Sequence, residues 1–306
     1  MMNYFRQAVV KGDFLITAEI MPPKGANPDR MLTLAKLLKG RVHAVNVTDG
    51  SRSVLRMSSI AASTLLLQQG IEPICQMTCR DRNIIALQSD LMGAQALGIR
   101  NILALTGDPV HAGDQKGARA VFELESVRLL NLIEHLNAGT DASGNRLSDG
   151  HLDIFPGAAV DPQLKSWSSV QRRFERKLMA GAQFFQSQMI VDFDRLEMFM
   201  SQLALDAGKP IIAGIFLLKS AQNADFINRH VPGVHIPDEI IQRLASAVDP
   251  LRIGIEIVVE QIAMAKQYCQ GIHLMAVRRE ELIPEILEQA GILPIEHMKN
   301  CHKLSA

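Results

Sequence analysis

A single carboxylate interrupts the apolar run Phe14–Met21 (FLITAEIM), where Glu19 lies between Ala18 and Ile20. A carboxylate inside such a run loses much of its water. Desolvation disfavours the charged form, raises the pKa and makes the group a candidate proton donor near neutral pH. The alternative is a structural carboxylate held by a buried Lys or Arg. Asp108 is a second acid, directly after Gly107 at the end of the run Asn101–Asp108 (NILALTGD). By itself it suits a turn or a helix cap. Beside Glu19 it suits the other half of a pair of carboxylates, one neutral and acidic, one ionised. Further polar residues lie in or just after other apolar runs. They are Thr48-Asp49-Gly50, then Gln76, Thr78 and Cys79 followed by Arg80-Asp81-Arg82, then Thr106, Asp161, Gln186 and Gln188.

The elements that must position these residues alternate. Strand-like runs cover Phe14–Met21, Ala44–Asp49, Glu72–Cys79, Asn101–Asp108, Leu152–Val160, Phe184–Val191, Pro210–Leu218 and Gly271–Val277. The fifth is interrupted by Pro156-Gly157. Helical patterns separate them: Arg30–Lys39, with Asp29 as candidate cap, then Arg56–Gln69, Ile84–Leu97, Phe122–Asn137, Ser169–Ala180 and Arg195–Asp206. Shorter patterns at Ala221–Arg229 and Asp238–Ala247 precede a long one over Leu251–Cys269, and Glu280–Gln289 closes the series. Strands separated by helices imply a parallel sheet with right-handed crossovers. Eight such units predict a (β/α)8 TIM barrel, in which chemistry belongs at the carboxyl ends of the strands. A doubly wound open sheet is the alternative. The Pro22-Pro23 that ends the first run leaves no place for a dinucleotide-binding glycine fingerprint. The expected organisation is one barrel domain over residues 1–294 and a tail over 295–306.

The 306 residues carry 32 Lys+Arg and 32 Asp+Glu, a net charge of zero, with 47% hydrophobic residues. That balance argues against a general nucleic-acid binder and against disorder. The longest apolar stretch, Pro210–Leu218, is about half of a membrane span. The N-terminus has no leader pattern, and the few, irregularly spaced cysteines suit a reducing compartment. The expectation is a cytoplasmic protein. Metal sites look poor: Cys75 and Cys79 would sit about 13 Å apart along one strand face. His297, Cys301 and His302 form a tail cluster that could bind zinc but reads as idle. Arg172, Arg173 and Lys177 share one amphipathic helix, usually a solvated face, although Lys177 could meet a phosphate.

Seven segments resemble the methylenetetrahydrofolate reductase family, in family order and spacing: AEIMPPKG (18–25), VNVTDG (45–50), QMTCRDRN (76–83), LALTGDP (103–109), RKLMAGAQFFQSQMIVD (176–192), GVHIPDEI (233–240) and GIHLMAV (271–277). The last is most like the short, single-domain bacterial forms. The resemblance implies a barrel holding a flavin, whose hydride reduces 5,10-methylenetetrahydrofolate to 5-methyltetrahydrofolate. By motif, Glu19 matches the family's catalytic acid, Asp108 the aspartate between flavin and pterin, and Gln188 a folate-contacting glutamine. Thr48 and Lys177 match flavin contacts, Lys177 near the phosphates. Gln76 and, more loosely, Asp161 fall where the enterobacterial type has flavin-contacting histidines. Thr78, and Thr106 in place of an enterobacterial Arg, complete the expected cofactor set. Ala221 falls where that type has a Phe in the substrate and nicotinamide region. The resemblance therefore implies FAD, with FMN as the alternative, and leaves the electron donor as NAD(P)H or a redox partner protein. An alternative function is a folate- and flavin-binding subunit active only with such a partner. The apolar face at Ile253–Val259 suits either a homo-oligomer or burial within the barrel.

Overall fold

A computed structural model describes residues 3–231 and 233–295. Its centre is a closed barrel of eight parallel strands in sequence order: β1 (Leu15–Ile20), β2 (Ala44–Val47), β3 (Pro73–Thr78), β4 (Asn101–Leu105), β5 (Phe155–Val160), β6 (Phe184–Met189), β7 (Ile211–Phe216) and β8 (Gly271–Met275). β8 closes on β1, with Thr17 in register with His273. All eight expected runs supply a strand.

Period-two alternation explains why these segments close into a barrel. The even positions of β1, Ile16, Ala18 and Ile20, face outward into the apolar layer beneath the helices. The odd positions face inward. At the amino ends, Leu15, Ala44, Ile74, Leu103, Phe155, Phe184 and Ile212 fill the barrel floor. One layer higher, Thr17, Asn46, Gln186 and His273 are polar and buried. The barrel is therefore apolar at the bottom and polar just below its mouth. Pro156-Gly157 does not break β5 as the sequence suggested. Pro156 keeps its carbonyl in the ladder, accepting from the Gln183 N–H at 2.8 Å. Gly157 is required where it stands, since a Cβ there would lie 2.2 Å from the Phe184 ring.

Helix α1 (Tyr4–Lys11), which the sequence pattern did not suggest, plugs the barrel floor. Asn3 caps it, accepting from the Arg6 N–H, and Gly12 ends it in the left-handed conformation. Its fully buried Phe5 meets Phe184 edge-on at 5.0 Å. The crossover helices are α2 (Asp29–Leu38), α3 (Ser59–Gln68), α4 (Ile84–Ala96), α5 (Ser126–Asn137), α6 (Trp167–Met179) and α7 (Phe193–Phe199). They are followed by α8 (Ala221–His230), α9 (Asp238–Ala245), α10 (Pro250–Tyr268) and α11 (Ile283–Gln289).

Several boundaries differ from the sequence pattern for local reasons. Asp29 is the first residue of α2 and not its cap, which is Pro28. Residues 122–125 are not helical, because Phe122 takes a φ of 41° and the Ser126 N–H finds its acceptor in Thr106 Oγ1. The pattern at Arg195–Asp206 is α-helical only to Phe199. It then widens into a π-helical turn, Met200–Ala204, and tightens to 3-10 geometry before Gly208. The expected tail, apart from Ile295, lies outside the described residues, as do His297, Cys301 and His302. The three described cysteines, Cys75, Cys79 and Cys269, are free and buried. Among the described residues no helix is long and apolar enough to cross a membrane.

Candidate active site

The carboxyl ends of the strands open into a mouth, and the sequence-derived residues divide into two groups there. One group lines a cavity of about 360 Å³ over β4, β5 and β6, formed in part by Asp108, Asp161, Arg173, Lys177 and Gln188. Gln188 reaches it because β6 is irregular. The register with β7 shifts between Gln186 and Met189, and Gln188 is the one exposed residue of an otherwise buried strand. A bulge of this kind re-aims a side chain at a barrel rim. Gly214 makes room for it, since a Cβ there would lie 2.7 Å from the Gln188 carbonyl oxygen.

Lys177 projects from α6 and donates to the Ala159 carbonyl at 2.6 Å. Burial, reinforced by the neighbouring Arg173, pulls its ammonium down to about 8. Asp161 follows β5 and accepts from the Gln163 N–H at 3.0 Å. Its burial raises the pKa, with the Gln163 bond and Arg173 acting against that. Asp108 is held from the β2–α3 connection: the Arg52 N–H donates to its Oδ2 at 2.6 Å, and Ser53 Oγ donates to its carbonyl at 2.9 Å. Arg52 and Ser53 adopt left-handed φ values of 56° and 55°, unusual for non-glycine residues, to make this approach.

The second group lies across the mouth. Glu19, on β1, keeps 19% of its side chain exposed. Burial, with the nearby Glu280 carboxylate adding to it, raises its carboxyl to about 7. No Lys or Arg pairs with it among the described residues, so the alternative of a carboxylate neutralised by a buried cation does not hold. Thr48 is buried at the end of β2, and its hydroxyl has no hydrogen-bond partner. Gln76 is buried on β3. Among the described residues no hydrogen bond joins Glu19 to Asp108.

Two expected cofactor contacts are occupied by the protein itself. The Thr78 N–H and hydroxyl both donate to Asp49 Oδ2, at 2.8 and 2.9 Å, and Arg82 closes this cluster with a 2.6 Å ion pair to the same oxygen. Thr106 Oγ1 accepts from the first turn of α5 at 3.1 Å. Both residues serve the rim's own architecture. Asp49, Arg82 and the buried Arg80, which donates to the Gly50 carbonyl at 3.0 Å, were noted in sequence only as neighbours of the candidate residues. His273 and Asn46 were missed. Each appears only inside a strand-like segment, and a single polar residue there does not reveal what it meets across the barrel.

The family model of methylenetetrahydrofolate reductase matches residues 4–291. The chain belongs to the methylenetetrahydrofolate reductase family. Among curated relatives, methylenetetrahydrofolate reductase 2 of Saccharomyces cerevisiae is 27% identical over 273 residues, covering 85% of this chain and 43% of the yeast protein. A probable NADPH-dependent methylenetetrahydrofolate reductase of Caenorhabditis elegans is 26% identical over 298 residues, covering 91% of this chain and 42% of its own. The chain thus spans about two fifths of the length of these relatives. In fold it is similar to a Clostridium thermocellum protein described as binding two copies of 5-methyl-5,6,7,8-tetrahydrofolic acid. That similarity has a TM-score of 0.66 at 15% identity and covers 94% of this chain and 98% of the other. A tryptophan synthase chain from M. tuberculosis shares the architecture more distantly, at a TM-score of 0.51 and 10% identity over 95% of this chain and 98% of the other.

Proposed function

We propose that this chain reduces 5,10-methylenetetrahydrofolate to 5-methyltetrahydrofolate with a bound flavin, FAD or FMN, and with Glu19 as general acid. The observation that carries the reading is Glu19 itself: a carboxyl raised to about 7, without a cationic partner, at the mouth of a barrel of this family. A general acid works best with a pKa near the operating pH. The folate-binding neighbour in C. thermocellum supports the choice of substrate class.

The residues present fit a flavin. The unpartnered Thr48 hydroxyl offers a buried hydrogen-bonding group, and Lys177 with Arg173 offers a cationic wall beside a cavity of about 360 Å³. A partly desolvated ammonium gains from an anion, so Lys177 suits the cofactor's phosphate side. When bound, the flavin supplies the hydride. Glu19 holds the proton that is passed to the substrate nitrogen as the five-membered ring opens. The C–N bonding electrons stay on that nitrogen, leaving a cation on the pterin side. Asp108 places negative charge where it favours that cation, and Gln188 offers amide hydrogen bonds to the folate.

The test begins with an absorbance spectrum of the purified protein. NADH or NADPH is then added anaerobically, followed by methylenetetrahydrofolate. A flavin band that bleaches with the nucleotide and recovers with the folate is the result expected of a self-sufficient reductase. Recovery with folate only after chemical reduction assigns electron supply to a partner protein. A reduced flavin that the folate fails to reoxidise overturns the proposal.

A further inference from the structure

Below the mouth lies a buried polar atom that faces the proposed proton donor. His273 is an inward residue of β8, between Gly271 and Met275, and its side chain is 0% exposed. Burial pushes its imidazole down to about 3, so the ring is neutral across the working range. The partners of Nδ1 bear on the tautomer. Asn46 Nδ2, which donates to Gln186 Oε1 at 2.9 Å, also lies 3.4 Å from Nδ1. An amide nitrogen only donates, so this contact suits a lone pair on Nδ1. The Thr17 hydroxyl lies 3.0 Å from the same atom and 3.4 Å from the Ile272 carbonyl, and its single proton goes to one of the two. A proton on Nε2 is the arrangement in which Asn46 and Thr17 both donate to Nδ1, and it is the tautomer the proposal below takes. Nε2 is buried and has no hydrogen-bond partner among the described residues, and Glu19 Oε2 lies 4.0 Å away. An unmade buried hydrogen bond costs about 1–3 kcal/mol, so such an atom calls for a use.

A second group bears on the same carboxyl. Glu280 is buried in the turn after β8 and accepts from the Arg278 N–H at 3.1 Å. Arg278 takes a left-handed φ of 63° to form that turn. Among the described residues Glu280 is the charged group that shifts Glu19. β2 sets Asn46 in register with it, and α2 packs Met31, Ala35 and Leu38 in the apolar layer on the opposite face of β1. The charges that act on Lys219, at the rim beyond β7, are those of Glu280, Arg278 and Arg279.

We propose that His273 is a positioning residue for Glu19, its Nε2–H donating to the Glu19 carboxylate formed when the proton leaves. The inference deepens the proposed reduction and rests on it for the direction of proton transfer. A movement of about 1 Å brings the 4.0 Å separation to hydrogen-bond length, and such contacts commonly tighten only in the reacting complex. His273 keeps its own proton throughout. Glu19 transfers one proton to the substrate nitrogen and recovers one from solvent through the mouth.

Two measurements test this. Nitrogen-15 NMR of the histidines in the wild-type protein reads the tautomer directly, and His273 is expected to be protonated on Nε2 from pH 5 to 9. Infrared titration, with Glu19→Gln as the difference reference, reads the Glu19 carboxyl. His273→Leu is expected to raise its midpoint by about one unit, a tenfold change in the proton equilibrium. His273→Gln, which keeps a donor near the Nε2 position, should restore it, and Glu280→Gln should lower it. A proton on Nδ1, or a midpoint indifferent to His273→Leu, overturns the proposal. The reoxidation of chemically reduced protein by methylenetetrahydrofolate is followed alongside. A midpoint that moves in a protein unable to reduce the folate supports the positioning role and removes the functional reading. A fixed midpoint in a protein that does reduce it has the reverse meaning.

Discussion

Glu19 shows how far one residue's surroundings set its chemistry. Its raised pKa suits the proposed proton donor and is also a liability to the fold. The sign follows from linkage: a group with a folded pKa near 7 and an ordinary value of 4.5 binds protons more tightly when folded. Its contribution is fully present below pH 4.5 and is lost as the pH rises toward 7, after which the loss is constant. The gap corresponds to about 3 kcal/mol. Glu19→Gln should therefore melt several degrees above wild type at pH 8, with the advantage shrinking steadily toward pH 4.5. Thermal unfolding at a series of pH values checks this, and a difference independent of pH would remove the buried-acid assignment. In the same variant, flavin content should be retained while folate reduction is lost.

At the scale of elements, the barrel tolerates little at positions where strands pack side chain against backbone. Gly157→Ala places a methyl within 2.2 Å of the Phe184 ring and should cost about 1–3 kcal/mol by overpacking. Gly93, inside α4 with open space around its would-be Cβ, behaves oppositely. Gly93→Ala should add about 0.5–1 kcal/mol through helix propensity. Urea denaturation reads both as opposite shifts in midpoint at unchanged slope. The strands themselves were legible in the sequence because period-two alternation and β-branched runs are local signals. Element ends were less so. Pro156-Gly157 reads locally as a break, yet the neighbouring strands hold it in the ladder, and Phe122 reads as helical until its left-handed backbone excludes it.

At the scale of the whole molecule, α1 closes the barrel floor beneath the polar layer, and the last described residue still touches the body. The Ile295 N–H donates to the Gly40 carbonyl at 2.7 Å. Truncation after Pro294 removes that bond, at a cost of about 0.5–1.5 kcal/mol, and should leave the absorbance of bound flavin unchanged. Loss of flavin on truncation would make the following segment part of the working fold.

By itself the sequence determined the eight alternating units, the family and the positions of Glu19, Asp108, Lys177 and Gln188, because each lies in a contiguous segment with a local pattern. Only the tertiary structure decided which of these residues share a cavity, that Thr78 and Thr106 are engaged by the rim, and that His273 lies beside Glu19. The links among Asn46, Gln186 and His273 join residues separated by 140 and 227 positions. They exist because closing the sheet brings β2, β6 and β8 to one axis, and no local pattern encodes that closure.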